Sequence, residues 1–249
     1  MKSKEIRNYN LLVIKLLMSL KLHGSYVKFI EVRKRSVNMY KLFDWKDKIN
    51  EFELEEIVKI LNNNGVIIFP TETVYGIGGN AMSNEVIDRV YEAKHRPRAK
   101  AVNILVANKN EIEKYAEITS DIERKIIEEF MPGPITIILK KKDGFGDGFT
   151  QKDNTIGVRI PDNEIIRAIL DNVNFPLIAP SANISDRPSG LNVKQIADDF
   201  KESVDAIIDG GDAKIGLSST IVKVENNEII ILREGKITKE EILNKIKDM

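Results

Sequence analysis

"FPTETVYGIGGNAM", Phe69 to Met82, leaves the apolar run "VIIF", Val66 to Phe69. Pro70 closes what reads as a short buried strand. Two threonines, a glutamate, a tyrosine and three glycines then follow in quick succession. The stretch reads as one polar turn at a strand end, its glycines letting the backbone approach a ligand closely. In α/β sheets, loops leaving strand ends commonly build the ligand crevice.

Helices and strands alternate outward from this point. Leu54, Ile57, Val58 and Leu61 share a helical face that Asn64-Gly65 stops. Downstream, Ser83 is placed to cap a helix carrying Val86, Ile87, Val90 and Tyr91. "VNILV", Val102 to Val106, reads as a strand, and Ser120 with Glu123 forms a capping box opening the next helix. "ITIIL", Ile135 to Leu139, and "TIGVRI", Thr155 to Ile160, are further strands. In the second of these Gly157 and Arg159 share a face. "DGFGDGF", Asp143 to Phe149, reads as a loop between them. "PLIAP" and "VDAII" follow as strands, each preceded by a helix. "STIVKV" and "EIIILR" flank Asn226-Asn227 as a hairpin, and Thr238 with Glu241 caps a last helix. The pattern predicts one α/β domain over 39–249 with a twisted, mixed β-sheet.

Residues 1–38 differ. They carry nine Lys/Arg against two acidic residues, 9 − 2 = +7, so 39–249 carries 29 − 36 = −7. "LLVIKLLMSL", Leu11 to Leu20, is too short for a membrane span and is interrupted by Lys15. The segment is expected to be an appended helix, or the product of a start placed upstream of Met39. Over the whole chain, 38 basic and 38 acidic residues cancel, which gives no support to a dedicated nucleic-acid binder. The chain has no cysteine, which excludes disulfides, thiolate zinc and a cysteine nucleophile. His23 and His95 are the only histidines, so a histidine metal cluster is excluded. No metal site is expected in the protein itself.

What remains is chemistry by hydroxyls, amides and cations. In "KHRPRAK", Lys94 to Lys100, Pro97 ends a helix. If the chain then runs extended, Arg96, Arg98 and Lys100 converge on one side and call for an anion such as a triphosphate. The bland reading is a solvated basic tail on a helix C-terminus. "PSANISDRPSG" offers Ser181, Asn183 and Ser185, suited to ribose, phosphate or carboxylate, but also ordinary in turns. "GIGGN" is neither a Walker loop nor a dinucleotide fingerprint. Such a set suits phosphoryl or nucleotidyl transfer by positioning and electrostatics.

Taken together, "FPTETVYGIG", "AKHRPRAK", "MPGPITIIL", "IGVRIPD", "APSANISDRPSG", "IIDGG" and "SST" occur in the order found in YrdC-type threonylcarbamoyl-AMP synthases. The chain resembles that family from about Asp47 to Gly235. The resemblance implies a single domain with a basic, concave cavity. It also implies a reaction in which L-threonine, bicarbonate and ATP give L-threonylcarbamoyladenylate and pyrophosphate. A separate threonylcarbamoyltransferase complex would then modify adenosine 37 of tRNAs reading codons that begin with A. Magnesium would ride with the ATP, and the enzyme would be cytoplasmic. By the resemblance, Lys94 and Arg96 are catalytic. Thr71, Asn103, Arg159, Ser181 and Ser219 would hold threonine. Lys94, Arg98, Thr136, Ser181, Asn183 and Arg233 would hold ATP. The sequence departs from the family at Lys100-Ala101-Val102, where Lys-Pro-Leu is usual, and at Ser218, where a glutamate is common. Two other readings fit parts of the sequence. One is a non-enzymatic RNA-binding module, or weak RNA binding by the enzyme, suggested by residues 1–38. The other is a carbamoyl-adenylate enzyme of the hydrogenase-maturation type.

Overall fold

The computed structural model describes residues 40–145 and 154–247. The expectations on residues 1–38, and on the far end of the Asp143–Phe149 loop, lie outside the described residues. Among the described residues, seven helices and eleven strands follow in the order β1 (Lys41–Asp44), α1 (Glu51–Asn62), β2 (Ile67–Phe69), β3 (Gly76–Gly78), α2 (Asn84–Ala93), β4 (Asn103–Leu105), α3 (Lys109–Tyr115), β5 (Ala116–Glu117), α4 (Asp121–Phe130), β6 (Ile135–Lys141), β7 (Thr155–Arg159), α5 (Glu164–Asp171), β8 (Leu177–Ile178), α6 (Val193–Phe200), β9 (Ala206–Asp209), β10 (Thr220–Glu225), β11 (Glu228–Arg233) and α7 (Lys239–Lys247).

The local rules hold where the sequence states them. The Ser83 hydroxyl accepts from Val86 N, and Ser120 with Glu123 completes the capping box of α4. Asn226 and Asn227 both take positive φ, 52° and 62°, the geometry that a two-residue hairpin turn needs. The Thr238 hydroxyl likewise accepts from Glu241 N at 3.2 Å.

The α/β class is as expected, but the strands form two sheets rather than one. The first runs β1-β9-β2-β3, and the second runs β11-β10-β6-β7-β4-β8 with β5 beside β6. Both are mixed. In the second, β10 and β6 are parallel, as are β4 and β7, while the remaining pairs are antiparallel.

The opening stretch explains the split. Gly76 to Gly78 is a strand, antiparallel to β2, and not a turn. Its other edge bonds to the chain around β8: Ile77 N donates to Pro180 O at 3.0 Å, and Ile178 N donates to Gly79 O at 3.0 Å. A Cβ on Gly78 would lie 1.6 Å from Ile178 O. The glycine is there so that two backbones can meet, where the sequence suggested approach to a ligand. β1, β3, α3 and β5 were not legible beforehand. α3 buries only Ile112, too little to show a period.

Two cores flank the sheets. The larger joins Val86, Ile87 and Val90 of α2 and Ile126 and Ile127 of α4 to Ile135, Ile137 and Leu139 of β6. The smaller joins Ile57 and Leu61 of α1 and Ile165 and Ile169 of α5 to Ile67 and Phe69. Alternation along β6 sends Ile135, Ile137 and Leu139 into the core and leaves Thr136 and Ile138 on the opposite face. Among the described residues, no helix is long and apolar enough to cross a membrane.

Candidate active site

The face of the second sheet that Thr136 and Ile138 occupy is the floor of a cavity of about 150 Å³. Register sets the floor. Ile221 pairs with Thr136, Ile138 with Gly157, Gly157 with Asn103, and Arg159 with Leu105. Gly157 keeps this floor low, since a Cβ there would press within about 3.3 Å of Thr136, Asn103 and Ile138. One wall is the loop after β2, with Thr71 and Thr73. Another is the chain after β8, ending at Ser181.

Three arginines line the cavity from three separate elements: Arg96 after α2, Arg159 at the end of β7 and Arg233 at the end of β11. The Arg233 guanidinium donates to Ser219 O at 2.8 Å and to the Ser219 hydroxyl at 3.2 Å. Burial, and then the charges of Arg159 and Arg96, push Arg233 below its ordinary value. The three cations therefore feel one another. The Ser219 and Thr136 hydroxyls lie 2.8 Å apart. Arg96 is fixed by the carbonyls of Lys100 and Ala101, at 3.1 and 2.6 Å.

Of the residues that the sequence proposed, the cavity gathers Thr71, Arg96, Asn103, Thr136, Arg159, Ser181, Ser219 and Arg233. It does not gather Lys94, Arg98 or Asn183. Segment 94–100 is not extended. α2 ends at Lys94 with His95 at φ 49°, Arg96 N returning to Tyr91 O and His95 N to Glu92 O. That is a Schellman closure, and it turns the three cations apart. Arg98 pairs with Asp88 and lies 4.5 Å over the Tyr91 ring, and Lys100 pairs with Asp186.

Lys94 needs a correction, because the motif reads as exposed in the sequence. Its residue is 1% exposed. Its ammonium donates to Ser181 O, to Asn183 O at 2.6 Å and to Asn183 Oδ1 at 3.2 Å. Burial, and then Arg96, pull its pKa down to about 7. It holds the Ser181–Asn183 loop from beneath. The Asn183 amide is spent within the same loop, donating to Ile184 O and Arg187 O.

Thr71 lines the cavity, but its hydroxyl is also spent. It donates to Val74 O at 2.6 Å and accepts from Thr73 N and Val74 N. The sequence reading missed the apolar half of the lining, including Val102, Leu105 and Ala179. Alternation in β4 was the available signal, since Asn103 and Leu105 share a face.

The model of a family named Sua5_yciO_yrdC, described as "Telomere recombination", matches residues 59–235, well over half of the chain. The chain belongs to the Sua5/yciO/yrdC family. A relative from Methanocaldococcus jannaschii is 42% identical over 197 residues, covering 79% of this chain and 92% of that one. A Bacillus subtilis relative, named threonylcarbamoyl-AMP synthase, is 33% identical over 194 residues, and the match spans 78% of this chain but only 56% of that one. Among solved structures, the Sua5 protein of Pyrococcus abyssi complexed with L-threonine is similar with a TM-score of 0.79 at 32% identity, over 84% of this chain and 61% of that one. In this Sua5/yciO/yrdC chain the cavity sits where both sheets contribute walls. No group of three or more His, Cys, Asp or Glu is placed to cage a metal among the described residues.

Proposed function

We propose that this chain is a nucleotidyltransferase that makes L-threonylcarbamoyladenylate and pyrophosphate from L-threonine, bicarbonate and ATP. Its product would serve a separate transferase acting on adenosine 37 of tRNA in the cytoplasm. The observation that carries the reading is the convergence of Arg96, Arg159 and Arg233 on one small, partly apolar cavity. Three guanidiniums around one cavity, with the Glu72 carboxylate beside Arg159 alone to offset them there among the described residues, leave a net positive charge for anions, and this reaction brings a carboxylate, a carbamate and a triphosphate together. The names of the similar proteins from Bacillus subtilis and Pyrococcus abyssi support the same reading.

At about 150 Å³ the cavity suits an amino acid better than a whole nucleotide, since pockets that bury larger ligands run to roughly 300–1,000 Å³. Threonine would therefore sit deep, with the nucleotide running out over the rim. Arg159 would face its carboxylate. Val74, Val102 and Leu105 offer apolar contact for its methyl group. The hydroxyls of Thr71, Ser181 and Ser219 already have protein partners, which leaves the Asn103 amide to choose a substrate hydroxyl.

The threonine amine adds to the carbon of bicarbonate, losing water and giving a carbamate. A carbamate oxygen then attacks the α-phosphorus of ATP, and the bond to pyrophosphate breaks. Arg96 and Arg233 would hold the anionic oxygens along this path, where charge moves from carbamate to leaving pyrophosphate. Magnesium would enter with ATP as part of the substrate.

The test is to incubate the full chain with magnesium ATP, bicarbonate and each amino acid in turn, following pyrophosphate. Release that requires threonine, and falls when bicarbonate is omitted, is expected. Release without an amino acid, or with threonine replaceable by valine, would overturn the reading.

A further inference from the structure

Glu72 is a buried group beside the cavity that the reaction above leaves unused. The residue is 5% exposed and follows Thr71 in the loop between β2 and β3. Its Oε1 lies 2.7 Å from Arg159 Nη2, with the two side chains 6% and 7% exposed. The contact is one of charge alone. Among the described residues, neither Glu72 carboxylate oxygen and no Nη2 hydrogen of Arg159 has an aligned hydrogen-bond partner.

This is a poor way to gain stability. Burying two charges costs more than their attraction returns unless hydrogen bonds complete the pair. A buried ion pair without aligned hydrogen bonds calls for a reason, and the neighbouring cavity supplies one, because Arg159 lines it and Glu72 does not. The guanidinium has a second tether, Nε donating to Gly133 O at 3.2 Å. Two anchors on different atoms fix the plane of a rigid fork. Glu72 is itself held firmly. Its carbonyl accepts from Ile215 N at 2.9 Å, and the Thr71 hydroxyl locks the turn around it. The pair also spans the two sheets, since Glu72 leaves β2 and Arg159 ends β7.

We propose that Glu72 is a positioning residue, which holds the Arg159 guanidinium through Nη2 at the angle that turns its remaining donors toward the carboxylate of the amino-acid substrate. The inference rests on the synthase reading. Glu72 stays behind the wall, so it does not compete with the incoming carboxylate. It also cancels one of the three cavity charges, so the site holds its anions without trapping them.

The experiment measures kcat and both KM values in the full chain for Glu72→Gln and Glu72→Asp, alone and in an Arg159→Ala background. Glu72→Gln should raise the threonine KM about tenfold or more, the scale of one charge-assisted hydrogen bond, and leave the ATP KM within about twofold. Glu72→Asp, which keeps the charge, should recover part of the loss. In the Arg159→Ala background, Glu72→Gln should add nothing to the threonine KM, which a merely structural role would not produce. An unchanged threonine KM, equal shifts for both substrates, or additive effects in the double variant would overturn the inference. If Glu72→Gln does not fold, the same comparison with Glu72→Asp decides. If the wild-type chain releases no pyrophosphate, the synthase reading falls. Calorimetry with L-threonine then decides on Glu72: about tenfold weaker binding to Glu72→Gln supports the inference, and equal binding overturns it.

Discussion

The segment from Lys94 to Lys100 and the strand ends at Arg159 and Arg233 both offer cations, in opposite ways. The first is dense in sequence and disperses in space. Lys94 turns inward under a loop, Arg98 and Lys100 pair at the surface, and only Arg96 reaches the cavity. The second is two isolated arginines far apart in sequence that meet across one sheet face. A helix end spreads successive side chains around an axis, whereas strand register stacks distant residues side by side. Local charge density is thus a weaker guide to an anion site than shared register.

Breaking the strand side of this contrast should cost most. Arg233→Ala should lower turnover by about a hundredfold, the scale of one lost electrostatic contact to the transition state. Its thermal unfolding should shift little, because Arg233 is only partly buried and water can take its place at Ser219 O. A variant within threefold of wild type would place the anions elsewhere.

On the other side, Lys94→Met should act first on stability. It leaves the Ser181 and Asn183 carbonyls without their ammonium, at a cost of about 3 kcal/mol by urea unfolding. Activity should fall with the loop that Ser181 belongs to. Full stability with lost activity would instead make Lys94 a direct partner of substrate. Arg98→Ala should matter least. Its ion pair with Asp88 is half exposed, so about 0–1 kcal/mol of stability and under about threefold in rate are at stake.

A pH series sharpens the same contrast. The folded-state pKa of Lys94 is lowered, to about 7 from an ordinary 10.5. Below pH 7 both states bind the proton, and the penalty of burying the charge is present in full. Between about pH 7 and 10.5 the unfolded chain binds more protons than the folded one, so stability should rise with pH. The difference between wild type and Lys94→Met, read from urea midpoints, should grow in favour of wild type across that window. A flat difference would show that the three oxygens hold Lys94 fully protonated.

The elements with local signatures were legible in the sequence: the Ser83 cap, the Ser120–Glu123 box, the Asn226-Asn227 turn and the long apolar strand at Ile135. So were most of the polar residues that line the cavity, because motif order pointed to them. What was hidden depends on tertiary contact. Gly78 reads as freedom for a turn and serves a crossing with Ile178. Thr71 reads as a free hydroxyl and is consumed by its own turn. Lys94 reads as exposed because the carbonyls that hold it lie far along the chain, at Ser181 and Asn183.

Pyrophosphate binding measured by calorimetry, for wild type, an Arg98→Ala/Lys100→Ala double variant and Arg233→Ala, tests most directly whether register rather than local density builds the anion site. Wild type and the double variant should bind alike, within about threefold, and Arg233→Ala should bind at least about tenfold more weakly. The opposite pattern, with binding lost in the double variant and kept in Arg233→Ala, would contradict the assignment of the anions to the arginine-lined cavity.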